Sequence, residues 1–138
     1  MMMLSEIAKA LNTNVIGEDV NVLSVGTDSR TIKAGQLFVA LKGEHFNGNT
    51  YAADAIVRGA AAVVVSDADV EASPAVLVSD TKVALGELAH YWRQKFSLPV
   101  VAVTGSNGKT TVKEMLASIL NAASGVVLAT KGNFNNNI

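Results

Sequence analysis

Residues 100–120 read VVAVTGSNGKTTVKEMLASIL, which combines a β-branched run, a turn with two glycines and a helical apolar pattern. The run Val100–Val103 is typical of a buried strand. The apolar residues after the turn recur at helical spacing, namely Val112, Met115, Leu116, Ile119 and Leu120. A strand, a glycine-rich turn and a helix N-terminus in this order predict a phosphate-binding loop.

The turn supplies the groups that phosphate binding needs. Two glycines permit backbone conformations that a Cβ would block, and successive amides can then point at one anion. Lys109 is predicted to bridge the β- and γ-phosphates and to act in catalysis, and Thr110 to bind the accompanying Mg²⁺. The usual first glycine, six residues before the lysine, is replaced by Val103, so the loop is a variant. The predicted nucleotide-binding residues are Gly105, Ser106, Asn107, Gly108, Lys109, Thr110 and Thr111. The alternative is a glycine turn that merely joins a strand to a helix.

Composition limits the other function classes. The chain has 138 residues, of which 49% are hydrophobic and 17% charged, so it can bury a core. A net charge of −1 and 5% aromatic residues give no reason to expect nucleic-acid binding. The absence of cysteine excludes disulfides and thiolate metal sites. Because the longest apolar run, Ala60–Val65, is too short for a membrane span and no secretory leader is present, we expect a cytoplasmic protein without membrane insertion.

Apolar periodicity predicts an α/β fold with a partly parallel sheet. Helices are expected at 4–11, 51–58, 82–96 and after the glycine turn. Strands are expected at 14–16, 20–25, 37–41, 62–65, 75–78, 100–103 and 126–129. On the helix 82–96, the predicted apolar stripe is Leu85, Leu88, Ala89, Trp92 and Phe96. Trp92 is expected to pack in the core and His90 to face solvent.

A domain boundary is predicted near Pro99, which cannot continue the preceding helix. The expected divisions are an N-terminal substrate domain at 1–81, a connecting helix and linker at 82–98, and the start of a nucleotide-binding domain at 99–138. Only two strands are predicted after Pro99, and neither provides the acidic strand end that commonly binds the nucleotide's metal. We therefore expect the front part of a longer enzyme, inactive on its own.

Three polar clusters remain open to two interpretations each. Asp28-Ser29-Arg30 is either a turn with a self-paired arginine or an anion site. The loop Lys42–Asn49 is either an ordinary mobile loop or one that embraces a flat polar ring, and His45 has no second ligand at metal-binding spacing. The asparagines from 133 to 137 are either a disordered tail or a ligand loop after a strand.

Four segments together resemble the Mur ligase family. They are Thr27-Asp28-Ser29-Arg30, the stretch 35–43 (GQLFVALKG), the stretch 103–111 (VTGSNGKTT) and Gly132-Asn133-Phe134-Asn135-Asn136. The resemblance covers essentially the whole chain. It implies an N-terminal Mur-ligase-type α/β domain followed by the opening strand, P-loop, helix and strand of a P-loop ATPase-like central domain.

The resemblance also implies a reaction and its participants. The asparagine-rich ending points to members that use ATP and Mg²⁺ to add D-alanyl-D-alanine to UDP-N-acetylmuramoyl-tripeptide through an acyl phosphate, in peptidoglycan synthesis. A monomer is expected. The implied substrate-binding residues are Ser29, Arg30, Phe46, Asn49, Asn133 and Asn136. The alternatives are another ATP-dependent amide ligase, of the diamino-acid-adding or folylpolyglutamate type, and a non-catalytic nucleotide-sugar-binding module.

Overall fold

Short strands alternate with helices along residues 1–130, which are the residues that this computed structural model describes. The strands are β1 (Met2–Met3), β2 (Val15–Ile16), β3 (Asn21–Val22), β4 (Ser24–Gly26), β5 (Gln36–Val39), β6 (Ala62–Val65) and β7 (Ala75–Leu77). The α-helices are α1 (Leu4–Ala10), α2 (Ala52–Val57), α3 (Thr81–Gln94) and α4 (Lys109–Ser124), and a 3-10 turn at Gly48–Tyr51 leads into α2. The chain divides into two compact units, of which the second begins at Ser97 and contains α4.

A five-stranded sheet forms the centre of the first unit, in the order β2-β7-β6-β5-β4. Strands β4 to β7 are mutually parallel, whereas β2 pairs antiparallel with β7. A separate antiparallel pair joins β1 to β3. All four residues of β6 are buried, as the uninterrupted apolar run 62–65 predicts for a parallel strand covered on both faces. The predicted mixed α/β fold with a parallel-rich sheet is therefore confirmed.

The two faces of the sheet bury separate cores because successive strand residues point to opposite sides. Leu37 and Val39 of β5 pack on one side with α1 and α3, through residues that include Leu4, Ile7, Ala84 and Leu88. Phe38 and Ala40 pack on the other side with Ala52 and Ala55 of α2. Helices thus cover both faces of the sheet.

The residues predicted as a single strand at 20–25 belong to two sheets. Val22 pairs with Met2 in the small sheet, and Val25 pairs with Leu37 in the large one. Between them, the Leu23 amide donates to the Gly35 carbonyl at 2.9 Å, and the Leu23 side chain is exposed. Because β-propensity alone does not choose the partner strand, the sequence pattern could not show this change of sheet.

The core face of α3 differs from the predicted stripe. Thr81, Ala84 and Leu88 are buried, but Ala89 is exposed and Trp92 retains 38% of its surface. The prediction of a core Trp92 is wrong: its ring instead meets Phe96 edge-on at 5.5 Å. The buried positions recur at helical spacing, with Leu85 and Tyr91 packed beside them, so the core face is rotated away from Ala89 and Trp92. His90 is exposed, as predicted.

The far end of α3 is joined to α1 through Glu6. The Tyr91 hydroxyl donates to Glu6 Oε1 at 2.9 Å, and the Lys95 ammonium pairs with the same oxygen. Hydrogen bonds from Lys95 and then from Tyr91 lower the pKa of the Glu6 carboxyl. Because this folded-state pKa is depressed, the contribution to stability is present above the ordinary pKa and is lost as the pH falls through the lowered one.

Asp80 caps the N-terminus of α3 and gives a first testable expectation. Its Oδ1 accepts from the amides of Lys82 at 2.7 Å and Val83 at 3.0 Å. Asp80→Ala removes both bonds, and we expect the free energy of unfolding to fall by about 1 kcal/mol. Urea unfolding of the chain measures this change. Asp69→Ala, in the exposed loop before β7, is the matched control and should leave the midpoint unchanged.

The second unit forms the predicted helix but not the predicted strands. Among its described residues, neither 100–103 nor 126–129 is a strand, although both runs are β-branched. A strand needs a hydrogen-bonded neighbour, and without one Val100 is 71% exposed and Leu128 fully exposed. The β-branched pattern of these two runs indicates strand propensity, but neither run pairs with a neighbouring strand among the described residues.

None of the described helices is both long enough and apolar enough to cross a membrane. Helix α3 lies within the first unit, and the three-part division at 1–81, 82–98 and 99–138 stays a prediction.

Candidate functional site

The carboxyl ends of the parallel strands bring three polar segments to one edge of the first unit. β4 is followed by Thr27–Arg30, β5 by the loop 40–49, and β6 by Ser66. Parallel strands end at the same edge, which is where open α/β sheets place their ligands. The predicted substrate residues Ser29, Arg30, Phe46 and Asn49 all belong to these segments.

Asp28 and Arg30 form a closed pair after β4. Arg30 Nε donates to Asp28 Oδ1 at 2.9 Å, and Arg30 Nη2 donates to Oδ2 at 2.7 Å. Of the two interpretations, the self-paired arginine is the one that the structure shows. A guanidinium has five N–H donors, so this pairing leaves others for an anion, and the Arg30 side chain is 82% exposed. Anion binding by Arg30 stays a prediction. Ser29, which lies between Asp28 and Arg30 in the sequence, is buried.

The pairing changes how Asp28 titrates. Hydrogen bonds from the Arg30 side chain and amide lower the pKa of Asp28 from 3.8 to about 2. In Arg30→Ala we expect the pKa of Asp28 to rise most of the way back to its ordinary value. The pH dependence of the Asp28 carboxyl carbon resonance measures this change. The stabilisation that the Asp28–Arg30 pair gives should be fully present above pH 3.8 and should be lost as the pH falls through about 2. Lys33→Ala is the control, and an unchanged Asp28 titration in Arg30→Ala would contradict the assignment.

The loop after β5 is a hydrogen-bonded turn. Lys42 and Asn47 form an antiparallel bridge, and the Gly43 amide donates to the Phe46 carbonyl at 2.8 Å. The Gly48 amide donates to the Leu41 carbonyl at 2.8 Å. Phe46 stacks on Tyr51 with ring centroids 5.7 Å apart and remains 53% exposed. The loop thus presents an aromatic ring at the sheet edge, which suits a flat polar partner.

Asn49 has a different environment from the one that sequence reasoning assumed. The residue is 3% exposed, and its Oδ1 accepts from the Ser66 amide at 2.8 Å. Its Nδ2 donates to Asn47 Oδ1 at 2.8 Å and to Ser66 Oγ at 3.2 Å. The amide therefore serves the loop itself, and a direct substrate contact by Asn49 stays a prediction that these bonds do not support.

Ser66 is the residue of this edge that sequence reasoning missed. It is the first polar residue after the buried strand β6, so its place at a parallel strand end was the available signal. Thr81 was missed in the same way: its buried hydroxyl donates to the Ala40 carbonyl at 2.9 Å, where β5 meets the start of α3. Both residues fix the backbone that carries the loop.

The second unit contains the predicted phosphate-binding turn. Gly105 has φ +145° and Gly108 has φ +77°, conformations that favour glycine. Helix α4 begins at Lys109 with no capping side chain, and its first internal bond runs from the Val112 amide to the Gly108 carbonyl at 3.0 Å. The amides of residues 109–111 therefore precede the first helical bond. The Lys109 ammonium donates back to the Gly105 carbonyl, which places the cation over the turn.

The remaining predicted nucleotide residues share this turn. Ser106, Asn107, Thr110 and Thr111 are exposed, so their polar groups can reach a ligand. The Thr110 hydroxyl lies in the first turn of α4 and is an oxygen donor of the kind that Mg²⁺ accepts. Among residues 1–130, no group of three or more His, Cys, Asp or Glu side chains could hold a metal ion by itself. A Mg²⁺ ion bound by Thr110 would therefore also need oxygen ligands from the nucleotide, such as phosphate oxygens.

Asn133 and Asn136 lie outside the described residues. Their predicted contacts with nucleotide or peptide substrate, and the choice between a disordered tail and a ligand loop, stay predictions.

Comparisons with known proteins give both units the same relatives. Residues 21–93 match the model of the Mur ligase family, catalytic domain, and residues 103–138 match the Mur ligase middle domain. The UDP-N-acetylmuramoyl-tripeptide–D-alanyl-D-alanine ligase of Haemophilus influenzae is 48% identical over 138 residues, covering 96% of this chain and 30% of that ligase. The chain thus spans about a third of the length of such relatives.

Solved structures agree with this assignment. MurF from Acinetobacter baumannii superimposes with a TM-score of 0.82 at 36% identity, over 96% of this chain and 30% of that one. MurF ligase from Thermotoga maritima in complex with ADP gives a TM-score of 0.66 at 35% identity, over 72% and 23%. With the sheet edge, the glycine turn and more than half of its residues matched by one family model, the chain belongs to the Mur ligase family.

Proposed function

We propose that this chain is the N-terminal part of an ATP-dependent ligase that joins D-alanyl-D-alanine to UDP-N-acetylmuramoyl-tripeptide in peptidoglycan precursor synthesis. The supporting observation is the glycine turn before α4, where a lysine and uncapped amides converge. Relatives with this named activity match the chain across both of its units. We further propose a monomeric, cytoplasmic enzyme without membrane insertion or nucleic-acid binding.

The proposed reaction overcomes the poor reactivity of a carboxylate. An oxygen of the tripeptide carboxylate attacks the γ-phosphorus of ATP, and ADP leaves to give an acyl phosphate. The amine of D-alanyl-D-alanine then attacks the acyl carbon, inorganic phosphate leaves, and the nitrogen loses a proton to form the amide. Both steps require positioning and neutralisation of phosphate charge, which the protein can supply.

The second unit would hold the triphosphate. The amides of residues 109–111 and the positive end of the α4 dipole would bind its oxygens. In the described structure the Lys109 ammonium bonds to a neutral carbonyl, and a phosphate oxygen would offer it a charged acceptor. Mg²⁺, held in part by Thr110, would neutralise charge on the phosphates. Ser106, Asn107 and Thr111 would complete the polar surface of the turn.

The first unit would hold the UDP end of the substrate. Its sheet edge offers Ser29, the unused N–H groups of Arg30 and the exposed ring of Phe46. A guanidinium suits a diphosphate, and an aromatic ring suits the face of uracil. These assignments concern the first unit alone.

The proposal is tested by following phosphate release from ATP in a full-length ligase that carries this chain as its N-terminal part. Release should require both UDP-N-acetylmuramoyl-tripeptide and D-alanyl-D-alanine. The 138-residue chain alone should release none. Activity with UDP-N-acetylmuramoyl-dipeptide and a diamino acid would favour the diamino-acid-adding alternative, and activity with a folate would favour the folylpolyglutamate type.

The binding-module alternative predicts a different result. In a titration with a UDP-sugar, both the ligase and the binding-module interpretations predict that Ser29→Ala binds more weakly than the wild-type chain. If Ser29→Ala weakened binding, Lys109→Ala did not, and the full-length protein released no phosphate from ATP, the phosphate turn would be vestigial and the binding-module alternative would replace the ligase.

A further inference from the structure

The geometry points to Asn49 as a positioning residue that holds the loop 42–47 ready for the uridine end of the substrate, an inference that rests on the proposed function. Asn49 itself is withdrawn from the surface, so it acts through the loop and not by contact. The inference replaces the direct role that sequence reasoning gave this side chain.

Several hydrogen bonds converge on the buried side-chain amide of Asn49. The two polar atoms of the Asn49 side chain make three hydrogen bonds, and its backbone amide donates to Asn47 Oδ1 at 3.1 Å. Ser66, one of the partners, lies 17 residues away at the end of the neighbouring strand β6. Buried, fully bonded polar groups of this kind specify one backbone arrangement.

Through Asn47, Asn49 is bonded to the turn that carries Phe46. Its partner Asn47 forms the bridge to Lys42 that closes the turn, and the Gly48 amide between them donates to the Leu41 carbonyl. Phe46 lies inside this closed turn and stacks on Tyr51. The series of hydrogen bonds from Ser66 through Asn49 to Asn47 therefore connects the turn that carries the exposed Phe46 ring to the end of the central strand β6.

An ordered loop lowers the free-energy cost of binding the substrate. A loop that is ordered before binding does not lose that conformational freedom when the ligand arrives. In Asn49→Leu the Ser66 amide would lose its acceptor and Asn47 Oδ1 would keep only the backbone amide of residue 49, so the turn would have to order on binding. The cost should therefore appear as weaker affinity for the UDP compound and as faster amide exchange in the free protein.

The experiment compares wild type with Asn49→Leu, which has a similar size but no polar atoms. UDP-N-acetylmuramoyl-tripeptide is titrated calorimetrically onto the 138-residue chain, and hydrogen exchange of the Gly43 and Gly48 amides is measured without ligand. We expect Asn49→Leu to raise Kd about tenfold and to speed exchange of both amides. Asn14→Ala, an exposed asparagine before β2, is the matched control and should behave as wild type.

Two results would overturn the inference. One is wild-type affinity in Asn49→Leu. The other is weaker affinity with unchanged exchange at Gly43 and Gly48, which would restore direct contact as the role of Asn49. In the full-length ligase, a positioning role should raise KM for the UDP substrate and leave kcat and the KM for ATP unchanged, a separation that general destabilisation would not give.

The remaining outcomes are also decisive. If Asn49→Leu fails to fold, Ser66→Ala carries the test, because it removes only the 3.2 Å bond to Asn49 Nδ2. It should speed Gly48 exchange and weaken binding by less than Asn49→Leu, and values equal to wild type would overturn the inference. Failure of the wild-type chain itself to bind the UDP compound would refute the proposed function, which distinguishes the two failures.

Discussion

Replacing Lys109 by alanine should lower kcat/KM of the full-length ligase by about 10²–10³-fold, the range found when one charge-stabilising donor is removed. The ammonium lies over the glycine turn and is the group that would meet charge developing on the transferred phosphoryl group. The amides of residues 109–111 remain in the variant, so ATP binding should weaken less than turnover. The measurement is phosphate release at varied ATP concentration with both other substrates saturating.

The control for this change is a lysine outside the turn. Lys82→Ala, on the exposed side of α3, removes the same charge from the first unit and should keep wild-type kinetics. Lys109→Arg should recover little, because a planar guanidinium cannot occupy the place of a compact ammonium. Wild-type kcat/KM in Lys109→Ala would refute the proposed role of the turn in catalysis.

Local signals in the sequence predicted the parts of this fold that depend on local physics. The apolar run 62–65 is a fully buried parallel strand because helices cover both of its faces. The helix predicted from residue 82 is observed from Thr81, because the Asp80 carboxylate before it accepts from two otherwise unpaired amides. Gly105 and Gly108 predicted backbone conformations that a Cβ would disfavour, and both have positive φ. In each case the deciding partner lies within a few residues or is the sheet as a whole.

The features that escaped prediction depend on distant partners. Asn49 was assigned to substrate because the sequence did not show that Ser66 would lie beside it. Trp92 was placed in the core because the helical pattern does not show which face of α3 meets the sheet, and that face carries Ala84 and Leu88. The run 100–103 has strand propensity, but a strand also requires a neighbour. Pairing across long sequence separations is what a single sequence does not specify.

Gly48→Ala should destabilise the first unit by about 1–3 kcal/mol, the usual cost of forcing an extra carbon into packed structure. A Cβ at this position would lie 2.6 Å from the Leu41 carbonyl oxygen and 2.8 Å from the Ala40 carbonyl carbon. Both atoms belong to the backbone that leaves β5, so neither can move as a side-chain end would. The Gly48 amide also donates to the Leu41 carbonyl, and displacement would break that bond. Urea unfolding gives the change in free energy.

Two other glycines separate this steric cause from the general effect of adding a methyl group. Gly43 lies in the same loop with no atom within 4 Å of its ideal Cβ, so Gly43→Ala should leave stability nearly unchanged. Gly86 lies within α3 with equally open space, and Gly86→Ala should stabilise the helix by about 0.5–1 kcal/mol. If Gly48→Ala unfolded at the same urea concentration as Gly43→Ala, the close approach of residues 40 and 48 would be wrong. The loop would then lack the backbone contact that, together with Asn49 and Ser66, holds Phe46 at the edge of the sheet.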